Sequence, residues 1–186
     1  VVADRQMPGA YDALTGEWDE VCEIVCEPDA VRLAVDALAD RAAHWTLISS
    51  VSVYASNDEP GADESAQVVE PADEPAYADA KVIAERVTDE RLGDRLLIVR
   101  PGLIMGPGDP SDRLGYWPAR FSRGGRVVIP ETRHRWVQAI DVRDLAAWVV
   151  RAGTLGATGI VNAVGEAMPL ARFFETVAEV TDFHGE

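Results

Sequence analysis

Residue 81 is the one lysine among 17 basic side chains; all the others are arginine. Lysine offers a compact, rotatable ammonium with a tunable pKa, whereas arginine is a rigid fork that stays charged, so position 81 reads as a place that requires an ammonium. Tyr77 stands four residues earlier, one turn away on the same face of a helix. An ammonium near a phenol favours the phenolate and turns an inert hydroxyl into a usable acid and base. The spacing alone is weak evidence, because a Tyr/Lys pair on a helix face otherwise serves packing and solvation. Its company strengthens it. The run Ser49-Ser50-Val51-Ser52-Val53-Tyr54 follows the apolar Leu47-Ile48 and delivers hydroxyls at the end of a predicted strand. Serines there also serve turn chemistry, but the carboxyl ends of parallel strands are where open α/β sheets bind ligands.

The elements that must position these groups alternate between strand and helix. Val21 to Val25 is a short β-branched run, predicted as a strand that sets Cys22 and Cys26 side by side on one face in a core. Pro28 and Asp29 suit a first helical turn, and Val31, Ala34, Val35 and Leu38 then form the stripe of a helix with one buried face. Trp45 to Ile48 predicts the next strand. Residues 57–75 are acidic, interrupted by prolines and without periodicity, which predicts a solvated surface loop, either mobile or able to close over a substrate. A second helix is predicted from Tyr77, with Ala80, Ile83, Ala84 and Val87 as its apolar stripe and Gly93 at its C-cap. Leu96 to Val99 reads as a strand buried on both faces. After the turn-rich Pro101-Gly102 and GPGDPSD come a short helix at Tyr116 to Phe121, a strand at Val127 to Ile129, and a helix from Val142 to Arg151. A strand at Ile160 to Ala163 and a closing helix with Leu170, Phe173, Phe174 and Val177 on one side complete the pattern. The alternation predicts a single doubly wound α/β domain over residues 1–186, a parallel sheet covered on both faces.

Composition narrows the function. With 47% hydrophobic and 26% charged residues in 186 positions, the profile is that of one globular domain. No apolar run approaches the roughly 18 residues of a membrane span, and the start lacks a secretion signal, so a cytoplasmic protein without a membrane partner is expected. The net charge of −15 disfavours nucleic acid and anionic membrane surfaces. Two cysteines and the scattered His44, His134 and His184 predict neither a disulfide framework nor a metal site. Gly153, Gly156 and Gly159 spell a glycine-rich pattern, but they follow a helix and lead into a strand, the reverse of a phosphate-cradling turn. Tyr116, Trp117 and Trp136 suggest an apolar pocket wall, although aromatics at such spacing more often belong to a core.

Four segments in this order, SSVSVY (49–54), YADAK (77–81), VRPGLIMGPGD (99–109) and IDVRDLA (140–146), resemble the extended short-chain dehydrogenase/reductases, also called NAD-dependent epimerase/dehydratases. The resemblance implies a Rossmann-like parallel sheet with part of a small substrate lobe, and NAD or NADP as cofactor. It implies Ser50 as the hydroxyl that holds the reacting oxygen, Tyr77 as acid/base, and Lys81 as the group that lowers the Tyr77 pKa and holds the nicotinamide ribose. Pro101 and Gly102 would lie against the nicotinamide, and Ser52, Leu103 and Arg135 would contact substrate. The implied activity is oxidoreduction or epimerisation at a hydroxyl or carbonyl carbon of a small molecule. The alternative is a non-catalytic NAD(P)-sensing or scaffold relative, against which the intact Ser/Tyr/Lys set speaks; an RNA-associated relative is disfavoured by the charge. Family habit implies a homodimer through helices, one of them carrying Tyr77 and Lys81.

Departures from the resemblance are equally informative. The glycine-rich fingerprint expected ahead of these motifs is absent, so the fold reads as incomplete at the N-terminus and the chain as the central part of a longer protein. A sheet cut at its middle is expected to be poorly soluble or to pair with another copy. Leu103 and Val137 stand where nucleotide-sugar members carry asparagine and arginine, which argues against a nucleotide-sugar epimerase, although Arg133 and Arg135 lie close enough to substitute.

Overall fold

The computed structural model describes residues 4–7, 9–56 and 60–186. In chain order the elements are β1 (Trp18–Glu23), α1 (Pro28–Leu38), β2 (Ala42–Ile48), α2 (Tyr77–Leu92), β3 (Leu96–Pro101), β4 (Leu103–Met105), α3 (Tyr116–Ser122), β5 (Trp136–Val137), β6 (Ala139–Asp141), α4 (Val142–Thr154), β7 (Gly159–Ala163), β8 (Met168–Pro169) and α5 (Leu170–Val180). They divide into two compact units, Val1–Pro101 with Ala147–Ala163, and Gly102–Ala146 with Val164–Glu186.

The first unit is the α/β sheet that the alternating pattern predicts. Its strands run parallel in the order β1-β2-β3-β7. Every residue of β3 is buried, as a strand covered on both faces requires. Leu96 and Ile98 join Trp45 and Leu47 of β2 in a core closed by Val31, Ala34, Val35 and Leu38 of α1 and by Ala84 and Leu92 of α2; Leu97 and Val99 are fully buried on the other face. Pro28 at the start of α1 presets its backbone and forfeits only a hydrogen bond that the first turn could not make. Gly93 ends α2 at φ +53°, a conformation other side chains resist. The glycine pattern at 153–159 spans the end of α4, a positive-φ turn at Gly156 and the start of β7, a helix-to-strand connection.

Three expectations are corrected in this unit. β1 ends at Glu23, so Cys22 is exposed at the edge strand and Cys26 lies beyond it; the buried residue is Glu23, whose carboxylate is paired with Arg5 at 2.5 Å and accepts the Val25 amide at 2.9 Å. The buried face of α2 is Ala80, Lys81, Val82, Ala84, Glu85, Thr88 and Leu92, with Ile83 and Val87 only half-buried, because polar residues take positions that a hydropathy stripe reserves for apolar ones. The acidic segment, of which residues 57–59 lie outside the described residues, runs over the surface as expected but is tied to the fold within 64–70. Ala55 donates to the Gln67 carbonyl and Val69 to that of Val53, each at 2.8 Å, and Glu70 meets Arg86 at 3.1 Å. Composition counts its carboxylates as solvated, whereas several have arginine or amide partners.

In the second unit, β4 pairs parallel with β6 and β5 antiparallel with β8. Its core gathers Phe121 of α3 with Phe174 and Val177 of α5, flanked by Trp117, Leu170 and Phe173. Trp117 meets Phe174 edge-on at 4.7 Å, the geometry that aligns a ring edge with a π face. Residues Val127 to Ile129 form no strand: Gly124 and Gly125 turn the chain with positive φ just before them, the Val127 amide bonds the Glu186 carbonyl at 2.7 Å, and Val128 is 83% exposed. Among the described residues no helix is long and apolar enough to cross a membrane.

Candidate active site

The strand β2 ends at Ile48, and the chain beyond it carries Ser49, Ser50 and Ser52 into a single 3₁₀ turn. Ser50 caps that turn: its Oγ accepts the Ser52 amide at 3.1 Å and donates to Ser52 Oγ at 3.1 Å. A serine fits here because its short hydroxyl satisfies a turn's free amide. Ser50 is nearly buried and Ser52 exposed.

Tyr77 opens α2 and Lys81 follows one turn later. The phenol is 54% exposed, while Lys81 is 3% exposed. Its Nζ donates to the Ile48 carbonyl at 2.7 Å and the Val25 carbonyl at 3.3 Å, the ends of the β2 and β1 connections, and stands 6.0 Å from the centroid of the Tyr77 ring. Burial holds the Lys81 pKa below the ordinary lysine value, opposed by the nearby Cys26, Glu23, Glu27 and Glu85. An ammonium is costly to bury unless its protons find acceptors; here two carbonyls supply them, in a slot where a planar guanidinium is a different shape.

Beneath this centre lies a polar cluster that hydropathy does not reveal. Glu85, one turn beyond Lys81, receives Arg100 Nε at 3.0 Å and Nη2 at 2.7 Å in a fork, and also the Ser49 hydroxyl. Arg100 Nη1 reaches Tyr54 Oη at 3.0 Å, and Tyr54 donates to Asn162 Oδ1 at 2.7 Å on β7. Glu64 of the acidic segment accepts the Asn162 amide at 2.7 Å and lends its carbonyl to Arg100 at 3.4 Å. Burial depresses the Arg100 pKa, but the bonds to Glu85 and Tyr54 outweigh it and the net shift is upward. The sequence signal was an arginine inside an otherwise apolar buried strand, a position that demands a partner.

Ser50, Ser52, Tyr77, Lys81 and Pro101 thus belong to the first unit, with Pro101 buried at the end of β3. Gly102, Leu103 and Arg135 belong to the second. A methyl at Gly102 would meet Val164 Cγ1 at 3.1 Å, so the backbone packs closely there. Leu103 is half-buried and pairs with Ala139, and Arg135 is exposed, its carbonyl accepting the Leu170 amide at 2.9 Å. Tyr116 and Trp136 are 49% and 65% exposed.

The donor set fits the nicotinamide end of a dinucleotide. An ammonium and hydroxyls cluster at the carboxyl end of β2, the kind of donors that ribose hydroxyls and a carbonyl oxygen accept. The described residues offer no glycine-rich strand-to-helix turn for a pyrophosphate, and no group of three or more His, Cys, Asp or Glu among them is placed to hold a metal ion.

Comparison with solved structures gives the same fold. A candidate epimerase from Burkholderia cenocepacia superposes with a TM-score of 0.78 at 20% identity, over 98% of this chain and 66% of its own. RMD from Pseudomonas aeruginosa, in complex with NADPH, gives 0.78 at 19% identity over 100% of this chain and 75% of its own. A dTDP-4-dehydrorhamnose reductase from Bacillus anthracis, in complex with NADP, gives 0.68 at 17% identity over 85% and 54%. The chain therefore spans between about half and three quarters of the length of these relatives. A search of curated proteins returns no match. The sequence profile of the NAD dependent epimerase/dehydratase family matches residues 29–164, most of the chain, from the second residue of α1 through β7; the chain belongs to that family.

Proposed function

We propose that the protein of which this chain is part is an NAD(P)-dependent oxidoreductase or epimerase acting at a hydroxyl or carbonyl carbon, with Ser50, Tyr77 and Lys81 as its chemical centre. The observation that carries this reading is the lone lysine, 3% exposed, with its ammonium on the Ile48 carbonyl and one turn from an exposed phenol. Burying an ammonium costs free energy even where carbonyls accept its protons.

In this reading the bound nicotinamide supplies or accepts the hydride. Ser50 donates a hydrogen bond to the substrate oxygen, exchanging its present bond to Ser52 Oγ for it. Tyr77 gives a proton to that oxygen as a carbonyl becomes a hydroxyl, or takes it in the reverse direction. Lys81 lends positive charge to the phenolate form of Tyr77 and turns its remaining proton toward a ribose hydroxyl. Pro101 and Gly102 are the proposed contacts of the nicotinamide. Ser52, Leu103 and Arg135 are the proposed substrate contacts. Leu103 and Val137 favour a substrate other than a sugar nucleotide, and a homodimer remains part of the proposal.

A fluorescence titration of NADH and NADPH into the full-length protein tests the cofactor. Saturable binding of either, together with hydride transfer that Tyr77→Phe reduces by about a hundredfold or more, is the expected result. Binding that persists with no turnover in either protein would identify a sensor; no binding at all would overturn the assignment.

A further inference from the structure

The Glu85 carboxylate gathers three donors in a buried site: Ser49 Oγ, Arg100 Nε and Arg100 Nη2. Each partner adjoins a residue of the proposed centre. Ser49 precedes Ser50, Glu85 lies one turn after Lys81 on α2, and Arg100 precedes Pro101 at the end of β3. The Lys81 ammonium meanwhile rests on the carbonyl of Ile48, the other side of the peptide whose following residue Glu85 holds. Helix α2 is thus fastened to the end of β2 at two successive turns, through Lys81 and through Glu85. The pair is 4% and 8% exposed at its side chains, and two apolar residues of similar volume commonly stabilise a fold as well as a buried ion pair does. A forked, fully bonded pair does one thing that apolar packing does not: it admits a single rotation of the helix against the strand ends.

We propose that Glu85 and Arg100 are positioning residues for the proposed hydride-transfer centre, fixing the Ile48–Ser49 peptide against the turn of α2 that carries Lys81. The proposal rests on the functional reading above only for its effect on turnover; its effect on the geometry of Lys81 stands separately. Arg100 extends the same clamp through Tyr54 to Asn162 and, by way of Glu64, to the acidic segment.

Glu85→Gln leaves the Arg100 charge unpaired in the interior and can unfold the chain, so the deciding variant is Ser49→Ala, which removes one donor and changes no charge. The full-length protein is labelled with ε-¹³C lysine, the Lys81 signal assigned with Lys81→Met, and its titration followed by NMR. In Ser49→Ala the Ile48–Ser49 peptide keeps its ladder bond from the Ser49 amide to the Val99 carbonyl at 2.7 Å, but the turn of α2 loosens against it and admits water to the ammonium, and the Lys81 midpoint moves up by about half a unit or more toward the free-lysine value. NADPH affinity, read by fluorescence, stays within about twofold while kcat, read as NADPH oxidation over a panel of small ketones and a nucleotide-linked 4-keto sugar, falls roughly tenfold. Thr88→Val is the control: Thr88 is buried on the same helix and bonds only the Ala84 carbonyl at 2.7 Å, and it should lower stability without moving the Lys81 titration or kcat. A Lys81 midpoint unmoved in Ser49→Ala, or moved equally in Thr88→Val, overturns the proposal. Wild-type protein that binds neither NADH nor NADPH overturns the functional reading instead, and the lysine titration still decides the positioning role.

Discussion

Helices α2 and α5 bury one face each, and they bury opposite things. The inner face of α5 is Leu170, Phe173, Phe174 and Val177, with Arg172 exposed and paired outward to Glu175 and Glu179 at 3.4 and 3.1 Å. The inner face of α2 includes Lys81, Glu85 and Thr88 among its seven buried residues. An apolar face is held by area, which tolerates small rotations of the helix because every nearby orientation buries similar surface. A face of charges in fixed hydrogen bonds tolerates few, because an unmade bond in the interior costs its full desolvation. The difference separates a helix that holds a unit together from one that holds side chains in register.

The two kinds of face should respond differently when cut. Replacing Arg100 by leucine strands the Glu85 carboxylate and should destabilise by about 4 kcal/mol, while the double replacement of Glu85 and Arg100 by leucine should recover most of that loss. Urea unfolding of the two single variants and the double variant closes this cycle, and a double variant no more stable than the worse single would show that the fork carries stability itself. Phe174→Ala, at a residue 5% exposed, should cost about 3 kcal/mol by cavity formation. No second substitution on α5 should restore it except one that refills the volume, as an unfolding series with Val177→Leu or Val177→Phe would reveal. Tyr77→Phe should leave stability within about 0.5 kcal/mol of the parent, since the phenol is 54% exposed and its loss leaves no donor in the core.

The same contrast explains what could be read in the sequence. The α5 stripe, the α1 stripe and the continuous apolar run of β3 are written in hydropathy with the right period, and each element stands where the pattern placed it. The segments carrying Ser50, Tyr77 and Lys81 were legible from residue type and order. Glu85 was not, because a periodicity argument takes a charged residue as a mark of the surface, and Arg100 at the end of an apolar run signalled that it needed a partner without saying which. The Ile83 and Val87 stripe failed for the same reason: the helix turned its polar line inward, and a carboxylate and an ammonium took buried places beside Val82 and Ala84. Val127 to Ile129 failed differently. Its residues favour a strand, but no neighbour offers a ladder, and the positive-φ Gly124 and Gly125 just ahead of it turn the chain away. Tertiary partners decided each case, and a local pattern does not contain them.

One further substitution is specific to the inward-facing charge. Lys81→Met replaces the buried ammonium with an apolar chain of similar length. Near neutral pH two terms oppose: the Ile48 and Val25 carbonyls lose their donor, but the ammonium no longer has to be desolvated, and the net change should stay within about 1 kcal/mol. The pH dependence carries the sign. Because burial lowers the folded-state pKa of Lys81, the unfolded chain holds more protons between that value and the ordinary lysine pKa near 10.4, so wild-type stability rises with pH across that interval. Below it both states are protonated and the difference between wild type and Lys81→Met is constant; above it both are neutral and the penalty has vanished. Wild type should therefore gain on Lys81→Met by about 1.4 kcal/mol for each unit by which the folded pKa is depressed, a trend not expected of Phe174→Ala, which cuts an apolar cluster of Phe121, Val177 and Trp117. Chemical denaturation of the three proteins from pH 7 to 10.5 measures it. Parallel curves for wild type and Lys81→Met would mean that the ammonium reaches water in the folded state, and that the inner face of α2 is held by area after all, as α5 is.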